Sequence, residues 1–315
     1  MTNGPAETPV LSIIIPMHNE EEVMAELFAR LVPVMERIAE PFEIVCVDDG
    51  SRDRTWPLLK QRSARDDRVR PHRLSRNFGK EIAMTAGLDA ARGQAVVFID
   101  ADLQDPPEII EEFVKLWRQG YQNVYGLRTR RAEDTYAKRK TARLFYSVFN
   151  HLSDTPLPAN AGDFRLLGPD AVRALRACRE RQRFMKGLYT WVGFPSIAVP
   201  YERPARAAGQ TKFSMFRLWN FALEGITSHS TVLLRAWTYV GLIAIAFGVL
   251  LGVWLLIEYF AFGRNPPGFY LTVFVVLGFS SLNFIMLGIL GEYVGRIYQE
   301  VKKRPLYFLR DDDLD

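Results

Sequence analysis

Residues 96–107 read VVFIDADLQDPP, an apolar run that stops on carboxylates. Val96, Val97, Phe98 and Ile99 predict a short strand buried on both faces, because a strand with one wet face alternates apolar and polar side chains. Asp100 and Asp102 follow at its carboxyl end with Ala101 between them, the place where open α/β sheets bind their ligands. Two acids around one small residue, with the oxygen of Gln104 close behind, suit a hard divalent cation such as Mg²⁺ or Mn²⁺, and a cation held there would neutralise a diphosphate. A strand end followed by an acidic helix cap fits the same letters, since Pro106, Pro107 and Glu108 open a helix at its first turn.

Upstream the pattern repeats. Residues 10–15 are apolar but for one serine and end on PMHNEEE, and residues 43–47 form a second strand closed by Asp48, Asp49, Gly50 and Ser51. Between them a helix is expected over about residues 21–40, with Val23, Leu27, Leu31, Val34 and Ile38 on one side and Pro33 kinking or dividing it. Ser51, Asp53 and Thr55 are turn and cap residues for the helix that follows. Asp48 and Asp49 read either as a hydrogen-bonded turn or, at a second strand end beside the first, as ligand contacts. A third short strand is expected at 70–74, after which SRNFGK leads into a helix through Met84, Leu88 and Ala91 that Gly93 ends. Successive βα units predict a mainly parallel sheet with right-handed crossovers, which brings the loops carrying acids, Asn and Lys to one edge. No GxGxxG follows the first strand and no GxxxxGK[ST] occurs, which sets aside a dinucleotide fold and a P-loop NTPase.

Composition divides the 315-residue chain. Up to about residue 230 it is charged and mixed, whereas across 238–290 the only Asp, Glu, Lys, Arg or His residues are Glu258 and Arg264. Two apolar stretches, 238–260 and 269–290, have the length a bilayer needs, and the connection between them contains FGRNPPG. The net charge is only +4, but basic residues gather at 128–143 and 302–310, pointing to anionic lipid or phosphate rather than nucleic acid. Lys302, Lys303, Arg304 and Arg310 follow the second stretch, and Arg217 and Arg235 precede the first, which places both termini in the cytoplasm. Phe213, Phe216, Leu218, Trp219, Phe221 and Leu223 read as an interfacial amphipathic segment. Cys46 and Cys178 are expected to be reduced thiols in a cytosol-facing domain, and residues 1–9 show no signal-peptide pattern. The division expected is a catalytic domain at 1–212, interfacial helices at 213–235, two transmembrane helices within 236–292 and a basic tail at 293–315.

The middle of the chain carries Arg128, Arg130, Arg131, Lys138, Arg139, Lys140 and Arg143 interleaved with Tyr136, Leu144, Phe145, Tyr146 and Phe149. This reads as a basic amphipathic, membrane-surface helix or as a solvated charged face. Asp163 sits at an irregular, glycine-marked position where it could instead pair with Arg165, and Lys212 follows a glycine-bearing loop.

The ordered set PMHNEEE, VDDGSRDRT, LSRNFGKEIAMTAGLDAARG and FIDADLQDPPE resembles the family 2 glycosyltransferases of GT-A fold, and among them the polyprenyl-phosphate transferases that include dolichol-phosphate mannose synthase. AGDFRLLG at 161–168, RFMKGLYTWVGF at 183–194, YERPARAAGQTKFS at 201–214 and LGEYVGRIYQEVKKRPLY at 290–307 extend the resemblance over nearly the whole chain. It is closest to the two-helix bacterial type, the bactoprenol glucosyltransferases and their relatives that transfer aminoarabinose. The resemblance implies a Rossmann-like GT-A domain in the bacterial inner membrane. The reaction implied is a metal-dependent, inverting transfer of one sugar from a nucleotide sugar, UDP-glucose first, to undecaprenyl phosphate. It further implies that Pro16, Asn19, Glu20, Asp48, Asp49, Lys80 and Asp100 surround the nucleotide, and that Asp102 and Gln104 hold Mg²⁺ or Mn²⁺. Asp163 is implied as the catalytic carboxylate, Arg128 and Arg139 as phosphate contacts, and Lys212 as a cation on a closing loop. An arginine suits the phosphate because its guanidinium is permanently charged and grips with two hydrogen bonds. Because related two-span enzymes can form tetramers, the resemblance also admits a homo-oligomer.

Other donors (UDP-aminoarabinose, GDP-mannose, a UDP-N-acetylhexosamine) fit the same letters. A processive polysaccharide synthase shares the motifs, but its QxxRW is absent from this sequence. A non-catalytic membrane partner of another transferase would not need Asp100, Asp102, Gln104 and Asp163 together.

Overall fold

The structure is a computed structural model and describes residues 8–129, 161–181, 183–202, 232–263 and 268–310. Arg139, Lys212, most of the basic helix and nearly all of the interfacial segment lie outside these residues. The described residues fall into two compact units. One is an α/β domain to which the chain returns from Arg304 onward, and the other holds the two apolar helices.

The domain is built on a seven-stranded sheet: β1 (Leu11–Met17), β2 (Phe42–Asp48), β3 (Val69–Arg73), β4 (Ala95–Phe98), β5 (Asn123–Arg128), β6 (Ala161–Leu167) and β7 (Ser196–Tyr201). Their order is β3-β2-β1-β4-β6-β5-β7. β3, β2, β1 and β4 are parallel, as expected, and β7 is parallel to β5. β6 runs antiparallel to both β4 and β5, which makes the sheet mixed.

Both faces of the sheet are covered, so the strands read as continuous apolar runs. Ile13 and Ile15 face one layer, with Leu27 and Leu31 of α1 (Met24–Ile38), Leu59 of α2 (Thr55–Ser63) and Phe113 of α4 (Ile110–Arg118). Ile14, Val96 and Phe98 face the other, with Met84 and Leu88 of α3 (Lys80–Ala90), Leu175 of α5 (Pro169–Ala177) and Leu188 of α6 (Met185–Trp191). Helix α1 continues through Pro33 rather than dividing there. A short 3₁₀ turn, Pro107–Ile109, opens α4 as the two prolines predict. Cys46 and Cys178 are free thiols, and burial pushes the Cys46 thiol up to about 12.

The apolar helices are α7 (Val232–Phe262) and α8 (Gly268–Val301). Each contains a stretch long and apolar enough to cross a membrane, Tyr239–Ala261 and Val275–Val301, with none of it buried inside the protein. Helix α8 runs on past residue 290, where the apolar stretch expected to cross the membrane ends. Glu292 begins the charged residues there, but Arg296 pairs with it one turn on at 2.9 Å and nothing stops the helix. It ends where Lys303 takes a left-handed φ of 46° before Arg304 and Pro305. The tail then adds to the domain at the edge strand β3: Leu74 bridges Leu309, Phe308 O accepts Ser75 N–H at 2.9 Å, and Arg310 N–H donates to Arg73 O at 2.8 Å.

Candidate active site

The carboxyl ends of β1, β2 and β4 lie side by side, and the loops after β1 and β2 lock together through their own side chains. Asn19, at φ 56°, donates its N–H to Ser51 Oγ at 2.9 Å and accepts from Arg52 N–H at 2.9 Å. Glu20 N–H donates to Thr55 Oγ1 at 2.8 Å. The turn residues of the second loop thus hold the first loop in place. Together they wall a cleft of about 300 Å³, lined among others by Pro16, Glu20, Asp49, Lys80, Asp100 and Asp102. Asn19 lines a neighbouring cavity of about 450 Å³ with Arg52, Arg73, Arg76 and Arg310.

The paired acids of β2 diverge. Asp48 is fully buried; its Oδ1 accepts Ser51 N–H at 2.9 Å and its Oδ2 lies 3.2 Å from Arg73 Nε, so its carboxylate is engaged within the turn. Asp49 reaches the cleft wall and accepts Phe78 N–H at 2.7 Å and Gly79 N–H at 2.9 Å, which fixes the loop ahead of Lys80. Burial raises the Asp49 carboxyl against the pull of those two amides.

Lys80 is the hub. Its ammonium lies 2.6 Å from Asp100 Oδ1 and 3.0 Å from Asp163 Oδ2, joining the end of β4 to β6. Burial alone would lower its pKa, but Asp100 and Asp163 outweigh that and keep it protonated. In the same cleft, burial pushes the Glu20 carboxyl up to about 7, with the charges of Asp102, Asp100 and Asp53 adding to the rise. Carboxylates that repel one another in this way are poised for a cation.

The loop from Asp100 to Pro106 is strained at one point. Leu103, buried, takes a left-handed φ of 56° between Asp102 and Gln104, a conformation costing a branched-chain residue roughly 1–2 kcal/mol. Gln104 N–H donates to Asp102 Oδ1 at 3.1 Å, and the buried Gln104 Oε1 has no hydrogen-bond partner.

A model described as glycosyl transferase family 2 matches residues 12–176, more than half the chain. The chain belongs to glycosyl transferase family 2. Among its relatives, an uncharacterised glycosyltransferase of Synechocystis sp. is 45% identical over 96% of this chain and 95% of its own length. A prophage bactoprenol glucosyl transferase homolog of Escherichia coli is 41% identical over 95% of this chain and 98% of its own. The bactoprenol glucosyl transferase of Shigella phage SfV is 41% identical over 96% and 98%.

In this family 2 glycosyltransferase Asp163 lies in strand β6, at the point where the β5–β6 ladder shifts register, and its Oδ2 accepts a hydrogen bond from Lys80 Nζ at 3.0 Å. Burial alone would raise its pKa, but Lys80 and Lys186 hold it well below the usual carboxylate range. The Arg165 guanidinium is instead buried over the Tyr189 ring, 3.5 Å from its centroid, and donates to Gly162 O at 2.7 Å. Arg128 ends β5 against Asp105 and Tyr201.

Four residues with no role read from the sequence belong to this neighbourhood: Glu81, Lys186, Asp105 and Tyr201. Glu81 accepts Met185 N–H at 2.9 Å, and burial, then the Asp163 charge, raise its carboxyl. Only the RFMKGL and YERPAR motifs hinted at Lys186 and Tyr201, since their contacts join residues far apart in the chain.

Proposed function

We propose that this protein transfers a single sugar, glucose from UDP-glucose, to undecaprenyl phosphate at the cytoplasmic face of a bacterial inner membrane. The observation that carries this reading is Lys80 holding Asp100 and Asp163 on one ammonium, 2.6 and 3.0 Å away. That contact gathers the expected donor side and acceptor side into one site. The substrate classes are supported by the names of relatives about 41% identical over 95% of the chain or more, a span that includes both apolar helices.

Pro16, Glu20, Asp49, Lys80 and Asp100 line the nucleotide, with Asn19 and Asp48 shaping the loops around it. Asp102 and Gln104 would hold Mg²⁺ or Mn²⁺. The donor set fits in its chemistry: hard oxygens, one of them the buried Gln104 Oε1 that lacks a hydrogen-bond partner, two positions along the chain from Asp102 on the cleft wall. Among the described residues no group of three or more His, Cys, Asp or Glu could hold a metal ion by itself. When bound, the cation would neutralise charge on the departing nucleoside diphosphate.

The acceptor phosphate is largely deprotonated at neutral pH, since its second ionisation lies near pH 6, and its oxygen attacks the anomeric carbon as the nucleoside diphosphate leaves from the opposite face. A single displacement of this kind inverts the centre and gives a β-linked product from an α-linked donor. Asp163, already ionised, has no proton to take from such an acceptor; it orients Lys80 and Lys186 toward the phosphate. Arg128, with Arg139 and Lys212 from outside the described residues, supplies cations for the two phosphate groups. Helices α7 and α8 span the membrane with both ends cytoplasmic, so the phosphate reaches the site while its isoprenoid stays in lipid.

A thermal-shift panel of UDP- and GDP-sugars with Mn²⁺ tests the donor. UDP-glucose is expected to raise Tm most; a larger rise with GDP-mannose reassigns the sugar and nucleotide. Product sizing tests the reaction: one hexose per lipid is expected, and a polymer rejects it.

A further inference from the structure

Arg128, Asp105 and Tyr201 close on one another where β5, β7 and the loop after β4 meet. Arg128 and Tyr201 are register partners on parallel strands. Arg128 Nε donates to Tyr201 Oη at 3.1 Å, Arg128 Nη2 lies 3.4 Å from Asp105 Oδ1, and the Tyr201 hydroxyl donates to that same carboxylate oxygen. Asp105 and Tyr201 are buried, whereas Arg128 keeps 22% of its side chain exposed. The two buried groups therefore grip a cation that still presents a face outward.

Two strand glycines make the room. A Cβ on Gly162 would stand 2.8 Å from Arg128 Nη2, and a Cβ on Gly126 would stand 2.6 Å from Tyr201 Cε1. Glycine weakens a strand interior, and its presence there marks close approach of another group. The β5–β6 ladder also shifts register between Tyr125 and Leu127, an irregularity of the kind that re-aims a neighbouring side chain. Asp105 directly follows Gln104 and lies three positions after Asp102, so the grip couples Arg128 to the strained acidic loop. The Asp100 charge acts on the Arg128 guanidinium as well, after Asp105 and Tyr201.

We propose that Asp105 and Tyr201 are positioning residues that hold the Arg128 guanidinium beside the Asp102–Gln104 loop, with Gly126 and Gly162 providing the space. Arg128 then meets a substrate phosphate as a preset cation, without the loss of rotamer freedom a mobile arginine suffers on binding. The proposal rests on the reading of the site as a glycosyl-transfer centre, but the placement of Arg128 can be tested apart from turnover.

Tyr201→Phe keeps the ring edge-on to Phe164, whose centroid is 5.9 Å away, and removes only the hydroxyl. With UDP-glucose, Mn²⁺ and undecaprenyl phosphate, it is expected to lower kcat about tenfold, less than the roughly 10²-fold of losing an electrostatic contact outright because Arg128 remains but is held less well, with the UDP-glucose KM changed less than about twofold. In an Arg128→Ala background the same change should cost less than about twofold more, because side chains acting as a unit are not additive. Gly162→Ala intrudes on the guanidinium from the other side and should give the same split. Independently of activity, phenylglyoxal labelling of Arg128, mapped by mass spectrometry, should accelerate in Tyr201→Phe and Gly162→Ala. A wild-type kcat in both variants, an undiminished tenfold loss without Arg128, or unchanged labelling overturns the proposal. Faster labelling in a protein that transfers no sugar keeps the clamp and rejects the transfer reading.

Discussion

Glu20 and Asp163 are both carboxylates of the cleft, yet their surroundings drive them in opposite directions. Glu20 is raised from 4.5 to about 7, first by burial and then by Asp102, Asp100 and Asp53. The folded protein therefore keeps a proton that the unfolded chain releases, so this contribution to stability is full below pH 4.5 and is lost as pH rises through about 7. Glu20→Gln should flatten the fall of Tm between pH 5 and 7; an identical slope would exclude Glu20 as its source. Asp163 is held low by Lys80 and Lys186, so its contribution is present above 3.8 and disappears as pH falls below that value. Because it stays ionised, the pH–rate profile should carry no ionisation of Asp163 between pH 5 and 9, while Asp163→Asn should slow transfer by about 10²-fold, the scale of one preorganised electrostatic contact. An acidic limb that vanishes in Asp163→Asn would instead make it a proton acceptor, because a base works only when deprotonated. Sequence marked Asp48 and Asp49 equally. In a strand buried on both faces apolar letters do not say which neighbour points outward, so only the fold separates Asp48, engaged in the turn, from Asp49 on the cleft wall.

At the scale of elements, the parallel units β1 to β4 were legible because each apolar run ends on a polar, turn-forming loop. β6 was not. It inserts antiparallel between β4 and β5 after a long stretch of intervening chain, and Gly162 and Asp163 within AGDFRLLG read as an irregular segment. Helix α8 extends past the apolar stretch for another reason: hydropathy measures how far apolar surface extends, whereas the helix continues through Glu292 and Arg296 as an ion-paired turn. The tail leaves no periodic trace, since it docks by a single bridge, Leu74 to Leu309, with Tyr307 Oη donating to Asp89 at 3.0 Å beside the Arg179–Asp89 pair. It covers the end of the edge strand β3 and steadies Ser75, next to the loop that lines the cleft. Deleting residues 304–315 should therefore lower Tm by a few degrees, roughly the effect of losing about 1 kcal/mol in a domain of this size, and speed amide exchange at residues 73–77. Unchanged exchange there would show that the tail contributes nothing to that loop.

In the whole molecule a family 2 transferase domain is joined to two helices whose apolar stretches are not buried by any of the described residues. Leu250 and Phe260 are 69% and 79% exposed, as lipid-facing side chains are. The protein should resist extraction by alkaline carbonate and require detergent; release by carbonate would contradict two spans. The reaction we propose is a metal-assisted transfer of one sugar to a lipid phosphate in the cleft that Lys80 organises. The direct measurement is formation of a chloroform-soluble radiolabelled product from labelled UDP-glucose and undecaprenyl phosphate with Mn²⁺, for the wild type and for Asp102→Ala. The expected result is a lipid carrying one hexose, formed by the wild type and lost both with chelator and in Asp102→Ala. Undiminished transfer by Asp102→Ala, or a wild type that yields no lipid-linked sugar, would contradict it.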